Sequence, residues 1–172
     1  AGYMLLAMPV MSSESIYAIM IYLVMYLFMN LGAFFIVILV KNKTGGETFE
    51  DYKGLGWEMP TVGICMTIFM VSLTGLPPTA GFIGKFYIFA SLIKGGGNFY
   101  WLVFAGAINS VISLYYYLKV VKVMFLDGDK KDVILHPKLP MFAMIMITVM
   151  PSLILGIYWS PLAAWVKSSL VF

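Results

Sequence analysis

The sequence predicts an all-α fold, a polytopic transmembrane helix bundle in which one helix, at about residues 60–93, is discontinuous. Three observations carry this. Of the 172 residues, 62% are hydrophobic and 11% charged, and the mean hydropathy is +0.94, far from the roughly 25% charged residues of a soluble domain. The apolar residues form continuous runs, as a helix needs if about 20 of them are to cross a hydrocarbon core about 30 Å thick; barrel strands would alternate polar and apolar residues instead. The third observation is a break. Inside the most apolar tract stands Thr74 to Phe86, TGLPPTAGFIGKF, with two adjacent prolines, three glycines and a lysine.

The elements follow in chain order. Residues 1–11, AGYMLLAMPVM, are apolar but too short to span, and read as the end of a helix that starts earlier in a longer polypeptide. The SSES cluster, Ser12 to Ser15, supplies N-cap candidates for a helix over 15–41. A polar loop over 42–59 follows, and Pro60 sits where a first-turn proline is tolerated. The tract 60–93 would be roughly 51 Å long as one straight helix, which overshoots the membrane, so a break near 75–81 is expected to absorb the excess. GGGN at 95–98 turns the chain and a helix over 99–124 crosses back. After a second polar loop, 125–138, the last helix covers 139–166. Pro151 is expected to kink it, because an interior proline removes one backbone bond and crowds the preceding turn.

All eleven cations are lysines, and their placement orients the bundle. With alternating crossings, Lys41, Lys43, Lys53, Lys119, Lys122, Lys130, Lys131 and Lys138 lie toward one face, while Lys94 and Lys167 lie toward the other. The positive-inside tendency makes the eight-lysine face cytoplasmic, or its organellar equivalent, and turns the C-terminus outward. The same placement accounts for the pI near 8.9 without a nucleic-acid partner; the partner is the lipid bilayer. Cys65 stands alone in an apolar run, so neither a disulfide framework nor a metal cluster is expected. His136, beside Pro137 in the second loop, reads as a surface residue. No phosphate loop, nucleophile triad or metal spacing is found, and GGG at 95–97 lacks the flanking strand and helix of a phosphate site. No cofactor-binding or metal-binding residue is therefore assigned to this chain.

The break raises a chemical question. Pro77 and Pro78 cannot donate backbone hydrogen bonds, and Gly75 and Gly81 permit unusual dihedrals and close approach of neighbouring backbone. Irregular backbone at membrane depth survives only where protein or a wet cavity surrounds it, and transporters place such breaks beside ion paths. Lys85 follows about two helical turns later. Neutralising a lysine at pH 7 costs roughly 4.6 kcal/mol, whereas keeping it charged at the membrane centre costs about 2.5–3.5 kcal/mol on insertion scales. The costs are comparable, so its protonation can follow a neighbouring charge, and Lys85 is the candidate for proton translocation. The competing reading is an anchor whose ammonium snorkels to the interface. Against it, Lys85 lies 25 residues after Pro60 with eight more before Lys94, which in a broken helix is nearer the interior than the surface. None of the eight acidic residues falls in a predicted span, so a carboxylate partner is expected from outside the chain.

Weaker candidates lie on the helix after the break. Gly106, Asn109, Ser110, Ser113 and Tyr117 recur at three-to-four spacing and form one small, polar stripe. Such stripes more often let membrane helices pack closely, which is the preferred reading; a hydrated proton path through Asn109, Ser113 and Tyr117 is the alternative. Lys119 reads as a snorkelling residue or, alternatively, as a site of proton uptake.

The strings YLFMNLGAFFIV, DYKGLGW, SLTGLPPTAGFIGKFYIF and SLYYYLKV, in this order, resemble the C-terminal third of the antiporter-like membrane subunits of respiratory complex I, most of all the subunit N branch. The resemblance covers nearly the whole chain. It implies a longer helical subunit in which the lysine after the break, here Lys85, belongs to a central row of protonatable residues and serves the outward half of a proton path. The glutamate and lysines that the family carries on earlier helices have no counterpart in these residues. It also implies a membrane-arm fragment of NADH:quinone oxidoreductase without redox chemistry of its own: NAD, FMN, iron–sulfur clusters and quinone belong to the rest of the complex. The implied partners are other membrane subunits, including a neighbouring antiporter-like subunit and its lateral helix. The implied location is a bacterial inner (plasma) membrane, with an organellar inner membrane or thylakoid as the alternative. Two other readings stay open: a subunit of a multisubunit cation/proton antiporter, and a structural membrane subunit without ion transport.

Overall fold

The protein was analysed as a computed structural model, which describes residues 2–128 and 137–170. Among these residues there are only helices and connecting turns, and no strand. Eight helices follow one another: α1 (Gly2–Ala7), α2 (Ser13–Thr44), α3 (Leu55–Glu58), α4 (Pro60–Thr74), α5 (Ala80–Lys94), α6 (Tyr100–Phe125), α7 (Leu139–Ile157) and α8 (Ser160–Ser169). Three stretches are long and apolar enough to cross a membrane, namely Ser13–Thr44, Gly97–Phe125 and Leu139–Ile157.

The long helix α2 is the spine on which α4, α5 and α7 pack. Its start is a capping box: Ser12 Oγ accepts from the Ser15 amide at 3.1 Å, and Ser15 Oγ accepts from the Ser12 amide at 3.0 Å. Its end is Gly45 at φ +83°, whose amide donates to Lys41 O. The helix is therefore longer at both ends than the expected 15–41.

Helices α4 and α5 have 15 residues each, about 22 Å at 1.5 Å per residue, and neither can span alone. Together they run antiparallel to α2. The Phe69 ring lies over Gly32, Ser72 Oγ meets Met29 Sδ at 3.4 Å, Gly84 lies against Tyr22 and Met25, the Tyr17 and Tyr87 rings meet edge to face, and Lys94 pairs with Glu14 at 2.8 Å. One span is thus built from two half-helices.

The polar segment before α4 folds across the bundle end. The stretch Phe49–Glu58 meets Pro60–Thr74 at 120°, and its carboxylates keep it at the face: Glu47 pairs with Lys41, Glu58 with Lys43 and Glu50 with Lys53. Trp57 Nε1 donates to Phe125 O at 2.8 Å. The Phe125 ring in turn covers Gly56 and Gly63, which ties this segment to the end of α6. Lys122 pairs with Asp127 at the same end. The lysines that the sequence assigns to this face sit there as far as they are described; Lys130, Lys131 and His136 lie outside the described residues.

One expectation is corrected. The last helix is not one element over 139–166, because the chain breaks at Tyr158 (φ −125°, ψ 74°) between α7 and α8. In a continuous helix Pro161 would leave Ile157 O without a donor, and its ring would clash with that carbonyl; a fresh start puts Pro161 in the first turn of α8, where its missing N–H costs nothing. Pro151 lies inside α7, which continues past it. Its single missing bond is tolerated because neighbouring helices hold a membrane helix in place, and α7 packs on α2, α5 and α4. Helix α8 folds back on the start of α2, with Val166 buried and Ala163 O accepting from Tyr17 OH.

Outward, α6 presents Trp101, Phe104, Val111 and Tyr115 to the surroundings. In a bilayer these side chains face tails or helices as apolar as themselves, so their exposure costs nothing.

Candidate functional site

The site is made by the way α4 stops. At its end Gly75 takes φ +87°, its amide donates to Ser72 O, and the Leu76 amide donates back to Val71 O at 3.2 Å. This is a Schellman motif, and it satisfies two of the last carbonyls while turning the chain out of the helix. Leu76 to Thr79 form the linker, with a cis bond between Pro77 and Pro78 and Thr79 Oγ1 donating to Leu76 O. Helix α5 then starts beside the end of α4, so the two half-helices overlap. A Cβ on Gly81 would stand 1.7 Å from Ser72 O, and the Gly81 amide donates to Ser72 Oγ at 3.2 Å. From the other side Gly156 of α7 closes on the linker, where its Cβ would meet Pro78 O at 2.0 Å. The flanking residues Ser72, Thr74, Thr79 and Ala80 are buried, whereas Leu76, Pro77 and Pro78 of the linker are exposed on the surface of the described chain.

Lys85, one and a half turns into α5, folds back over this break and is 4% exposed. Its stem lies on Gly75, where a Cβ would be 2.7 Å from Lys85 Cδ. Its Nζ donates to Thr74 O at 2.6 Å, approaches Ser110 Oγ at 3.5 Å, and stands 4.3 Å from the centre of the Tyr3 ring. Thr74 O is a carbonyl at the negative end of α4, where a cation is favoured. A hydrogen bond from a charged donor contributes about 1.5–3 kcal/mol, and a desolvated cation–π contact about 2 kcal/mol. Their sum offsets the insertion cost of about 2.5–3.5 kcal/mol. No carboxylate is needed to hold the ammonium, and among the described residues none is in contact with it. The anchor reading does not fit this geometry, since the side chain points into the bundle and not toward an interface.

Tyr3, which the sequence places only in the end of a helix and assigns no role, is a principal member of the site. Its hydroxyl lies 2.6 Å from Ser110 Oγ and donates to Gly106 O at 3.1 Å. Beside it is a cavity of about 350 Å³ whose walls include Tyr3, Tyr22, Tyr26, Asn109, Ser113 and Tyr117. A second cavity, about 670 Å³, shares Leu73, Tyr116 and Tyr117 with the first and reaches Glu47, Thr48 and Tyr52 on the lysine-rich face. Of the candidates on α6, Asn109 and Tyr117 line the cavity, and Ser113 does so with its hydroxyl bonded to Ser110 O at 2.8 Å. Lys119 is elsewhere, on the surface, with Nζ 4.5 Å from the Phe49 ring centre. Toward the opposite face the packing is tight: a Cβ on Gly106 would meet Phe89 at 2.7 Å and Leu6 at 2.9 Å. No group of three or more metal-binding side chains occurs among the described residues.

Comparison with known proteins gives this arrangement its setting. NADH-quinone oxidoreductase subunit N 2 of Sorangium cellulosum (strain So ce56) is 44% identical over 171 residues, which is 98% of this chain and 34% of that protein. NADH-quinone oxidoreductase subunit N of Chlorobium chlorochromatii (strain CaD3) is 51% identical over 126 residues, 73% of this chain and 25% of that protein. Among solved structures, a chain of respiratory complex I from Thermus thermophilus with bound aureothin superposes with a TM-score of 0.75 at 26% identity, over 95% of this chain and 36% of that one. The chain spans about a third of the length of the Sorangium relative. Residues 1–113 match the family described as NADH:quinone oxidoreductase/Mrp antiporter, TM. Since that stretch is well over half of the chain and holds Tyr3, Lys85 and Ser110, the chain belongs to the NADH:quinone oxidoreductase/Mrp antiporter transmembrane family.

Proposed function

We propose that this chain is part of a proton-translocating membrane subunit of an NADH:quinone oxidoreductase, and that Lys85 carries a proton in that process. The observation that supports it best is a lysine buried at a helix break with only a backbone carbonyl, a hydroxyl and an aromatic ring around its ammonium. Among the described residues no anion is paired with the charge, so a charge moving nearby is felt strongly in a medium of low dielectric. Redox chemistry belongs to other subunits on this reading, with NAD, FMN, iron–sulfur clusters and quinone bound there. The partners are further membrane subunits, among them a neighbouring antiporter-like subunit and its lateral helix. The membrane is a bacterial inner membrane or its organellar counterpart.

A second reading is a subunit of a multisubunit cation/proton antiporter, favoured by the family description, which covers both classes. A third is a structural subunit in which Lys85 only packs. The experiment is NADH-driven acidification of inverted vesicles containing the assembled complex, comparing the parent with Lys85→Met and Lys85→Arg. Loss of acidification in the methionine variant with assembly intact supports the proposal. Normal pumping by that variant removes Lys85 from the mechanism and favours the structural reading, whereas sodium-dependent acidification without NADH favours the antiporter.

A further inference from the structure

Lys85 does not line the cavity beside α6, and its way to it is narrow. Two polar atoms of the described chain lie near its ammonium: Thr74 O at 2.6 Å and Ser110 Oγ at 3.5 Å. A carbonyl oxygen has no proton to pass on, whereas a hydroxyl both accepts and donates. Ser110 Oγ lies 2.6 Å from the Tyr3 hydroxyl, and Tyr3 is a wall of the cavity. With Tyr3 OH donating to Gly106 O, the remaining donors align in one direction, from Lys85 N–H to Ser110 and from Ser110 O–H to Tyr3. The cavity, at about 350 Å³ and open to the surroundings beside the exposed Asn109, has room for several waters at about 30 Å³ each, with the polar groups of Tyr3, Asn109 and Tyr117 as their partners.

We propose that the Ser110–Tyr3 hydroxyl pair is the proton connection between Lys85 and this cavity, an inference that rests on the proposed role of Lys85. The transfer balances as follows. The ammonium gives a proton to Ser110 Oγ while Ser110 passes its own hydroxyl proton to Tyr3, and Tyr3 turns from Gly106 O to release its proton to a cavity water. One N–H bond breaks and one O–H bond forms on the water. The lysine is left as a neutral amine, both hydroxyls are left intact, and the water becomes hydronium. The reverse sequence reloads the lysine. Toward the opposite face Leu6 and Phe89 pack closely on Gly106.

The test uses the whole subunit in the assembled complex, with Ser110→Ala, Ser110→Thr and Tyr3→Phe beside Lys85→Met. Ser110→Ala and Tyr3→Phe are expected to slow NADH-driven acidification on the order of 100-fold, the low end of what a positioned proton-transfer group contributes. Tyr3→Phe retains the ring against the ammonium, so assembly is expected to persist, and Ser110→Thr, which restores the hydroxyl, is expected to restore pumping. If Ser110→Ala and Tyr3→Phe pump at the parental rate while Lys85→Met does not, the relay is wrong and the role of Lys85 stands. If Lys85→Met also pumps normally, the function proposed for the site fails and the relay with it. Should Ser110→Ala fail to assemble, Tyr3→Phe decides.

Discussion

Lys85 Nζ donates a 2.6 Å hydrogen bond to the carbonyl oxygen of Thr74, the residue that ends the helix before the break. The contact joins the two half-helices through a charge, and it exists only because the chain turns at Gly75 and lets the lysine stem lie across the turn. The break and the buried cation are therefore one device. A straight helix would have bonded Thr74 O to an amide and left Lys85 nothing to hold.

Replacing Gly75 by Ala is expected to damage both halves of that device. Its φ of +87° costs an ordinary residue roughly 1–2 kcal/mol, and the new Cβ would stand 2.7 Å from Lys85 Cδ, pushing the ammonium off Thr74. Thermal unfolding of the purified complex and vesicle acidification check this together. An unchanged melting temperature with unchanged pumping would show that the turn is not held as described.

Gly81→Ala and Gly156→Ala are expected to prevent assembly. The obstacles are backbone oxygens, Ser72 O at 1.7 Å and Pro78 O at 2.0 Å, which cannot move without shifting a helix, so the cost lies at or above the roughly 1–3 kcal/mol of ordinary overpacking. Gly97→Ala serves as the control, since nothing lies within 4 Å of its Cβ position. Blue native electrophoresis of membranes reads all three. Normal assembly of the Gly81 variant would mean that the half-helices do not overlap.

Ser12→Ala removes the side-chain oxygen that accepts the Ser15 amide and is expected to cost about 1 kcal/mol. A lower melting temperature with full pumping is the expected pair of results, because the cap lies on the two-lysine face, away from Lys85.

Outside the membrane, the Thr48 hydroxyl and then its amide hold the Asp51 carboxyl below its usual value of 3.8. A carboxyl depressed in the folded state contributes stability that is present above the unfolded value and is lost as pH falls through the folded one. Protection of the Thr48 amide, measured against the exchange of an unstructured peptide at the same pH, is therefore expected at neutral pH and is expected to be lost as pH falls below 3.8. Thr48→Val, which removes the hydroxyl, should bring the Asp51 titration back toward 3.8; a titration unmoved by that change would discount the bond.

What could be read in advance was whatever depends on local chemistry. Two prolines between glycines break a helix wherever they occur, and a lysine in an apolar tract is conspicuous because its desolvation is costly whatever surrounds it. Lysines at helix ends reveal the loops for the same reason. The stripe on α6 was visible, but its meaning was not: Asn109, Ser113 and Tyr117 line a cavity while Lys119 lies on the surface, and the sequence spacing fits both.

The break at Tyr158 was missed, although Pro161 stands just after it. Helix α7, with Pro151 inside it, ends there and packs on α2, α4 and α5. Tyr3 carried no signal at all. Its place beside Lys85 is set by α1 packing on α5, α2 and α6, a contact across most of the chain that no periodicity encodes. Composition, breakers and charge placement by themselves determined a membrane bundle with one broken helix and one buried lysine. Only the tertiary structure decided what that lysine touches, because a carbonyl freed by a turn, a ring from a distant helix and a hydroxyl on a third are brought together by packing alone.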